Sequence, residues 1–530
     1  MREKMSFPTV NPTETASWKA LETHYKALAS EGMQTALTGN ESRAKAMSVS
    51  WQDFFFDYAK NRITEETFSL LMDLAKEVEL KTAIDMQFAG ERINATENRA
   101  VLHTALRNFD AMKPEVSQTL EKIKQFSEAV ISGTYKGFSG KPITDIVNIG
   151  IGGSHLGPEM VVEALHHYSN HLGIHFIANV DGDNVQDILS SLNPETTLVI
   201  VVSKSFTTQE TLTNATVVKD WFLQKGTKEA IARHFVAVSM NTKEAVKFGV
   251  AESNVFPMYD WVGGRFSLWG AVGLSISCAL GYHRFEELLK GGFEMDKHFQ
   301  TTEFHQNIPV ILGLLSVWYN NFFKVETEGI VAYSEYLHKL VPYLQQAVME
   351  SNGKSVDRNG TAVDYQTGTI AWGDVGSNAQ HAFFQLLHQG TKWVPTDFIG
   401  FSQSLQGNTK NHNILMANFF AQTESLWEGK PADPQNPYTG FEGNRPSNTL
   451  LIKKLTPKNL GSLIALYEHK VFVQGVIWNI YSYDQWGVEL GKKVARGTLQ
   501  AIVNQNPDQM TNSSTQQLLK QYLQDQAENK

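Results

Sequence analysis

Cysteine is almost absent from this chain, which has one, Cys278, among 530 residues. A single thiol cannot close an internal disulfide, so the disulfide frameworks of many secreted proteins are excluded and a reducing compartment is favoured. Cys278 lies in the apolar run 274–280. We therefore interpret it as a buried, unreactive side chain.

Charge is also sparse, since charged residues make up 19% of the sequence, against roughly 25% in an average soluble domain. The chain has 46 Lys and Arg against 55 Asp and Glu, a net charge of −9, and no long basic run. Binding of nucleic acid through neutralised phosphates is therefore a poor hypothesis. Binding of an anionic small molecule stays open, because local charge can oppose the net charge.

Long apolar runs are missing as well. The most apolar stretch, residues 308–323, is shorter than the ~20 apolar residues of a membrane span and has polar edges, so it predicts a buried helix. Residues 1–11 lack the apolar core of a signal peptide, and the last residues match no sorting signal. We expect a cytoplasmic protein.

The length and the 42% hydrophobic content exclude disorder and predict two or more domains. In residues 12–108 the apolar positions have helical spacing, as at Phe54, Phe55 and Tyr58, and again at Phe68, Leu71 and Leu74. Few strand signals interrupt them. This part of the chain predicts a helical N-terminal region.

Two sets of short apolar runs follow, each run succeeded by a turn and a helical stretch. The first set is 143–149, 174–179, 197–202 and 235–238, and the second is 329–333, 369–372, 393–399 and 449–452. This alternation predicts an α/β protein with two doubly wound α/β/α sandwich domains and parallel sheets. The predicted order is a helical region (1–110), a smaller domain (111–285), a larger domain (286–505) and a carboxyl-terminal arm (506–530).

A glycine-rich turn at residues 148–158 follows the first predicted strand. Gly150, Gly152 and Gly153 let backbone amides approach a ligand, and Pro158 suits the first turn of a helix. The turn is not a dinucleotide fingerprint, because position 155 is histidine, and it lacks the Gly-Lys-Ser/Thr end of a P-loop. This spacing argues against a dehydrogenase, whereas a tight turn without a ligand remains the alternative.

A second turn, residues 203–208, gathers four hydroxyl groups and one ammonium before a helical run that begins near Gln209. Free amides at a helix start, hydroxyl donors and the Lys204 charge together suit a phosphate monoester. The alternative is helix capping by a serine or threonine. A helix cap needs only one hydroxyl, whereas this turn has four.

Longer motifs carry a family resemblance. They are Ile93–His103, Asp260–Trp269, Met349–Lys354, Gln380–Gln385, Gly461–Lys470 and Asp484–Lys492, together with the two turns above. On these residues the chain resembles the glucose-6-phosphate isomerase (phosphoglucose isomerase) family. The resemblance implies two sugar-isomerase-type (SIS-type) units and a homodimer with embracing carboxyl-terminal arms, without metal or other cofactor, nucleic acid or membrane. It also implies reversible conversion of glucose 6-phosphate to fructose 6-phosphate in glycolysis and gluconeogenesis, through ring opening and a cis-enediolate.

The resemblance assigns four catalytic roles. Glu350 would be the general base, Arg265 would face the enediolate oxygen, and His381 would open the sugar ring from the partner subunit with support from Lys492. Read without the family, Glu350 fits a solvated turn, and His381 fits a hydrogen-bonded helix histidine such as we predict for His388. The resemblance also implies that phosphate and sugar are bound by Gly153, Ser154, Ser203, Lys204 (through its amide), Ser205, Thr208, Gly264 and Gln485.

The sequence departs from the family pattern at three places. His155 stands where Asp is usual and changes the charge beside Ser154, whereas Ser205 replaces a usual Thr but keeps the hydroxyl. Residues 373–379 lack a proline and a glycine that are common in the family before the catalytic histidine.

Two further alternatives bear on function. Three histidines lie close together, His166, His167 and His171, but they have no carboxylate at ligand spacing, so we expect no metal site. A sugar-phosphate-binding regulator could use the same fold without turnover. Such a binder has no need to keep Glu350, His381 and Arg265 together.

Overall fold

The computed structural model describes residues 6–29, 32–38 and 40–528. The outer ends of the predicted helical region and of the predicted arm, 1–5 and 529–530, lie outside the described residues. The chain divides into two compact units, one that ends at Ser482 and one that begins at Tyr483. Across the described ranges, every helix is too short or too polar to cross a membrane.

Eleven strands are present in the described residues, all in the first unit. They are β1 (Ser48–Trp51), β2 (Phe54–Asp57), β3 (Asp145–Ile149), β4 (Gly173–Ile177), β5 (Thr197–Val202), β6 (Phe235–Ser239), β7 (Val255–Pro257), β8 (Thr327–Ala332), β9 (Ile370–Val375), β10 (Thr396–Phe401) and β11 (Ser447–Ile452). All eight strands that the sequence predicts occur at the predicted places. The hairpin β1–β2 and the short strand β7 are additional.

The strands form two sheets. One has the order β4-β3-β5-β6-β7, with parallel pairing throughout. The other has the order β1-β2-β11-β10-β8-β9, in which β8 to β11 pair in parallel and the β1–β2 hairpin adds antiparallel to β11. The prediction of two parallel sheets is confirmed, except that the second sheet has this antiparallel edge.

Helices surround both sheets. Those of the first unit are α1 (Ala16–Leu28), α2 (Glu41–Ala46), α3 (Glu65–Glu77), α4 (Leu80–Ala89), α5 (Pro114–Ile131), α6 (Leu156–Ala164), α7 (Gly182–Ser190), α8 (Gln209–Leu223), α9 (Ile231–His234), α10 (Thr242–Phe248), α11 (Leu274–Leu280), α12 (Tyr282–Thr301), α13 (Ile308–Val317), α14 (Leu340–Gln345), α15 (Gly376–Gln380), α16 (Phe384–Gln389), α17 (Thr409–Glu428) and α18 (Pro457–Ile477). The second unit contains α19 (Glu489–Val503) and α20 (Ser513–Glu528).

The helical interpretation of Phe54, Phe55 and Tyr58 is wrong. Phe54 lies in β2 with its neighbour Phe56, and both are buried, whereas Phe55 between them is exposed. This alternation has the period of a strand, and aromatic residues favour a pleated sheet. The helical prediction for Phe68 and its apolar neighbours is confirmed, because they lie in α3.

Two other predictions about buried groups are confirmed. Cys278 lies in α11, fully buried, and burial raises the pKa of its thiol to about 12. The apolar stretch after residue 308 forms α13 and a following π-helical turn, Trp318–Phe322, and every residue of both is buried. A helix that is apolar all round is typical of a protein interior.

A buried ionic network ties α18 to α12. The guanidinium of Arg107 donates to both carboxylate oxygens of Asp296, at 2.8 and 2.7 Å, and to Glu468 at 2.8 Å. The indole of Trp269 donates to the other oxygen of Glu468. Burial raises the pKa of Glu468 to about 7, even though the positive charge of Arg107 opposes the shift. The network joins elements that are far apart in sequence.

Candidate active site

Both predicted anion-binding turns lie at the same edge of the first sheet. The glycine turn follows β3 and the turn 203–208 follows β5, and these two strands are parallel neighbours. Ligands in parallel sheets bind beyond this carboxyl edge. The glycine turn contains a 3₁₀ turn, Gly152–Ser154, and then enters α6, whose first turn includes Pro158 as predicted.

Gly153 brings this turn into direct contact with the segment that carries Arg265. A Cβ atom added to Gly153 would lie 2.1 Å from the carbonyl oxygen of Gly264 and 2.6 Å from the amide nitrogen of Arg265. No side chain fits there, so the approach requires glycine. At Gly264 itself, an added Cβ would meet no other atom within 4 Å.

Arg265 is held on several sides. Its side chain is nearly fully buried, and its Nε donates to the hydroxyl of Ser351 at 2.8 Å. Its Nη2 donates to the carbonyl of Ser482 at 2.6 Å, and its Nη1 lies 3.2 Å from Oε2 of Glu350. The structure therefore brings the predicted electrophile and the predicted base into contact.

Glu350 ends a π-helical turn, Gln346–Glu350, that continues α14. Single π turns inside helices often occur at functional sites. The Glu350 side chain is 22% exposed, and its Oε2 accepts a second hydrogen bond from Nε2 of Gln346 at 3.1 Å. Both donors therefore bind the same oxygen, Oε2, and anchor it.

Gln346 is a site residue that the sequence analysis missed. It precedes Glu350 by four residues, and side chains at this spacing lie on the same face of a helix. Once Glu350 is assigned, this four-residue spacing indicates that the side chain of Gln346 lies beside it. Ser351 and Ser482 were missed too, and the contact of Ser482 with Arg265 depends on tertiary structure alone.

The turn after β5 is held by its own side chains. The hydroxyl of Ser203 donates to Thr208 at 3.2 Å, and those of Ser205 and Thr207 are 2.6 Å apart. Thr208 is the N-cap of α8, but its side chain makes no capping hydrogen bond to the helix. Helix capping at Thr208 therefore does not account for these hydroxyls.

The ammonium of Lys204 connects this turn to the Arg265 segment. It donates to the carbonyls of Asp260 and Val262, at 3.1 and 2.8 Å. Burial lowers the pKa of Lys204 to about 8, and the nearby charge of Arg99 contributes to the shift. Its backbone carbonyl accepts from the amide of Met240.

His155 lies at the start of α6, directly after Ser154. Its Nε2 is 3.3 Å from Glu159, whose other oxygen pairs with Lys339 at 3.2 Å. Burial lowers the pKa of His155, against the attraction of Glu159. Burial therefore favours the neutral form of the imidazole beside Ser154.

Three further predicted site residues lie on other elements of the chain. His381 follows α15, beyond the end of the edge strand β9, and is exposed. Gln485 and Lys492 belong to the second unit, where Lys492 forms an exposed ion pair with Glu489 at 2.8 Å. His388 is the hydrogen-bonded helix histidine that the sequence predicts, with its Nε2 2.9 Å from a glutamine oxygen.

The family model described as phosphoglucose isomerase matches residues 57–519. The chain belongs to this family. It is 56% identical over 540 residues to a glucose-6-phosphate isomerase of Christiangramia forsetii, covering 97% of this chain and 99% of the relative. The family assignment made from the sequence is confirmed.

Solved structures agree with the family assignment. The crystal structure of a glucose-6-phosphate isomerase from Chlamydia trachomatis matches with a TM-score of 0.85 and 33% identity, over 97% of this chain and 99% of that one. A hypothetical protein from Thermus thermophilus matches with a TM-score of 0.65 and 23% identity, over 82% of this chain and 96% of that one. The second likeness concerns the fold alone. The predicted α/β fold is confirmed.

Proposed function

We propose that the protein is a glucose-6-phosphate isomerase, which interconverts glucose 6-phosphate and fructose 6-phosphate. The observation that carries the proposal is the contact of Arg265 with Glu350 beside two turns suited to a phosphate. Membership of the phosphoglucose isomerase family supports the reaction and its place in glycolysis and gluconeogenesis. The reaction needs a base for the proton that moves between C2 and C1, and a cation for the enediolate.

Glu350 is the proposed base. A carboxylate can move a proton between adjacent carbons when it lies within about 3 Å of them in a water-poor site. Arg265 and Gln346 both bind Oε2 of Glu350, so we assign proton transfer to Oε1. The hydrogen bonds on Oε2 fix the plane of the carboxylate.

Arg265 is the proposed electrophile. Its guanidinium is permanently charged, and a fixed charge stabilises an oxyanion most in a site that excludes water. The same Nη1 edge that contacts Glu350 can face the oxygen on which negative charge develops. The base and the stabilising cation would thus act on neighbouring atoms of the sugar.

The phosphate would be held by Ser203, Ser205 and Thr208, the backbone amide of Lys204, and Ser154. Hydroxyl and amide donors at the start of α8 suit a phosphate monoester. Gly153 lets the turn that carries Ser154 lie directly against the backbone of Gly264 and Arg265, and Gly264 would contribute its backbone to substrate binding. Binding energy from the unreactive phosphate can then position C1 and C2.

His381 is proposed to open the sugar ring, because an imidazole exchanges protons readily near neutral pH. Lys492 would support this step and Gln485 would bind sugar or phosphate oxygens, as in the family pattern. We further propose that the protein is a homodimer in which His381 enters the site of the partner subunit. The exposed position of His381 on the single chain supports this arrangement.

Apolar side chains on the second unit also support a dimer. Leu490, Val494 and Val503 on α19 and Leu518 and Tyr522 on α20 are all exposed. Contiguous exposed apolar surface marks protein–protein contacts. A second copy of the chain is the partner we propose for these apolar side chains.

The domain boundaries are part of the proposal. The strands of the first sheet fall within the smaller domain, 111–285, and the parallel strands of the second sheet fall within the larger, 286–505. The β1–β2 hairpin joins the second sheet, which supports packing of residues 1–110 on the larger domain. We propose residues 506–530 as the arm and the cytoplasm as the location.

The reaction is tested by incubating the purified protein with fructose 6-phosphate and following glucose 6-phosphate, with a chelator present. Turnover is expected, and a sugar-phosphate-binding regulator would bind without turnover. Mixing Glu350→Gln with His381→Asn tests the shared site. After subunit exchange of equal amounts, about half of the dimers are mixed and each mixed dimer has one intact site of two, so activity should return to about a quarter of the unaltered value. No recovery, with exchange verified, would contradict the shared site.

A further inference from the structure

We propose that Ser351 is a positioning residue for Arg265. Two consecutive residues, Glu350 and Ser351, then supply the base and an anchor of the stabilising cation. This inference rests on the proposed function. Ser351 directly follows Glu350 and is fully buried. Its hydroxyl accepts a hydrogen bond from Nε of Arg265 at 2.8 Å.

The shape of the guanidinium explains why this contact matters. The group is planar, and its donors have fixed directions. Nε and Nη2 lie on one edge, where Ser351 and the carbonyl of Ser482 accept from them at 2.8 and 2.6 Å. With that edge bound, rotation about the Cδ–Nε bond is restricted, and Nη1 is directed at Glu350. Loss of the Ser351 hydroxyl would remove one of these two hydrogen bonds.

The two anchors are connected to each other. The hydroxyl of Ser482 donates to Oδ1 of Asn352 at 2.7 Å, and the amide of Asn352 donates to the carbonyl of Val471 at 3.0 Å. Lys354 donates to the carbonyl of Ser351 at 2.8 Å. The segment that follows Glu350 is thus rigidly held, and it transmits that rigidity to Arg265.

Both anchors on this edge are neutral oxygens, which distinguishes Arg265 from Arg107. The same edge of Arg107 is bound by the carboxylate of Asp296, and its Nη1 by a second carboxylate. A hydroxyl and a carbonyl orient a guanidinium without neutralising it. Ser351 therefore fixes the direction of the Arg265 guanidinium without adding a negative charge to that of Glu350, which Nη1 contacts.

The test is a double-mutant cycle on the full-length protein, with fructose 6-phosphate as substrate. Ser351→Ala should lower kcat roughly 10-fold or more, because hydrogen bonds to charged groups are strong. KM should change less than about twofold, because Arg265 stabilises the transition state rather than the bound substrate. In an Arg265→Lys background the same change should lower kcat by less than about twofold.

Ser462→Ala is the matched control, because Ser462 is equally buried and its hydroxyl donates to the carbonyl of Gly291, remote from the site. It should retain kcat. Ser351→Cys is the second variant in case Ser351→Ala does not fold; it keeps most of the volume but is a poor acceptor, and the same loss of kcat is expected.

Two results would overturn the inference: an unchanged kcat in either folded Ser351 variant, or fully multiplicative losses with Arg265→Lys. Both would leave the proposed function standing, since the unaltered protein would still turn over. Absence of turnover by the unaltered protein would instead contradict the proposed function itself.

Discussion

Replacing Gly153 with alanine would force apart two turns that meet at the active site. The new Cβ would lie 2.1 Å from the carbonyl oxygen of Gly264, 2.2 Å from its carbonyl carbon and 2.6 Å from the amide nitrogen of Arg265. All three are backbone atoms, so no side-chain rotation relieves the overlap. To reach ordinary van der Waals contact, 3.4 Å or more, the turns must separate by at least about 1.3 Å.

The consequence for catalysis follows from what each turn carries. One turn carries Ser154 and the other carries Arg265, so a separation moves the proposed phosphate contacts relative to the cation. A displacement of about 1 Å at an active site can cost roughly 10²-fold in rate. We therefore expect Gly153→Ala to lower kcat/KM for fructose 6-phosphate by roughly 10²-fold.

The assay is the coupled formation of glucose 6-phosphate, with circular dichroism to verify that the variant is folded. Gly182→Ala is the control, because Gly182 begins α7 and a Cβ there meets nothing within 4 Å. The control should keep its activity. A folded Gly153→Ala protein with kcat/KM within twofold of the unaltered protein would refute the argument from close approach.

Three further changes test other parts of the account. Glu350→Gln should lower kcat roughly 10²-fold or more at unchanged thermal stability, and an unchanged rate measured in the same assay would remove Glu350 from its role. Lys204→Ala should raise KM more than it lowers kcat, because it keeps the backbone amide but removes the ammonium that holds the turn 203–208 to the carbonyls of Asp260 and Val262. The pKa of Lys204 is about 8, so the ammonium loses its proton and this tie weakens as pH increases through 8, and the KM of the unaltered protein should rise there. A KM in the variant that rises equally with pH would count against this. Arg107→Met should destabilise the fold by about 3–5 kcal/mol in urea unfolding, since it leaves the buried carboxylates of Asp296 and Glu468 without the guanidinium that binds both of them. A loss below about 1 kcal/mol would contradict the importance of that network.

Much of the fold was predictable because the sequence pattern is local. The strand at Thr197–Val202 is a short continuous apolar run followed by a turn and a helix, and it forms at the predicted residues. The hairpin was not predicted, because over so few residues the spacing of Phe54 and its aromatic neighbours fits the helical period as well as the strand period. Its place beside β11 depends on pairing between residues about 400 positions apart.

The site was predictable in part, and for a different reason. The two turns could be assigned from residue chemistry, since glycines and hydroxyls after strands suit an anion. Glu350 could be assigned only through the family resemblance, because a glutamate before Ser351 and Asn352 otherwise suggests a solvated turn. The hydrogen bond from Arg265 to Ser482 arises from packing of segments more than 200 residues apart, and no local pattern indicates it.

Solvent exchange at the substrate carbons tests the central claim most directly. The unaltered protein and Glu350→Gln would each be incubated with fructose 6-phosphate in heavy water, and the recovered sugars analysed by nuclear magnetic resonance. The account predicts deuterium at C2 of glucose 6-phosphate and at C1 of fructose 6-phosphate with the unaltered protein, and incorporation slowed roughly 10²-fold with the variant. Equal incorporation by both proteins would contradict the assignment of Glu350 as the residue that moves the proton.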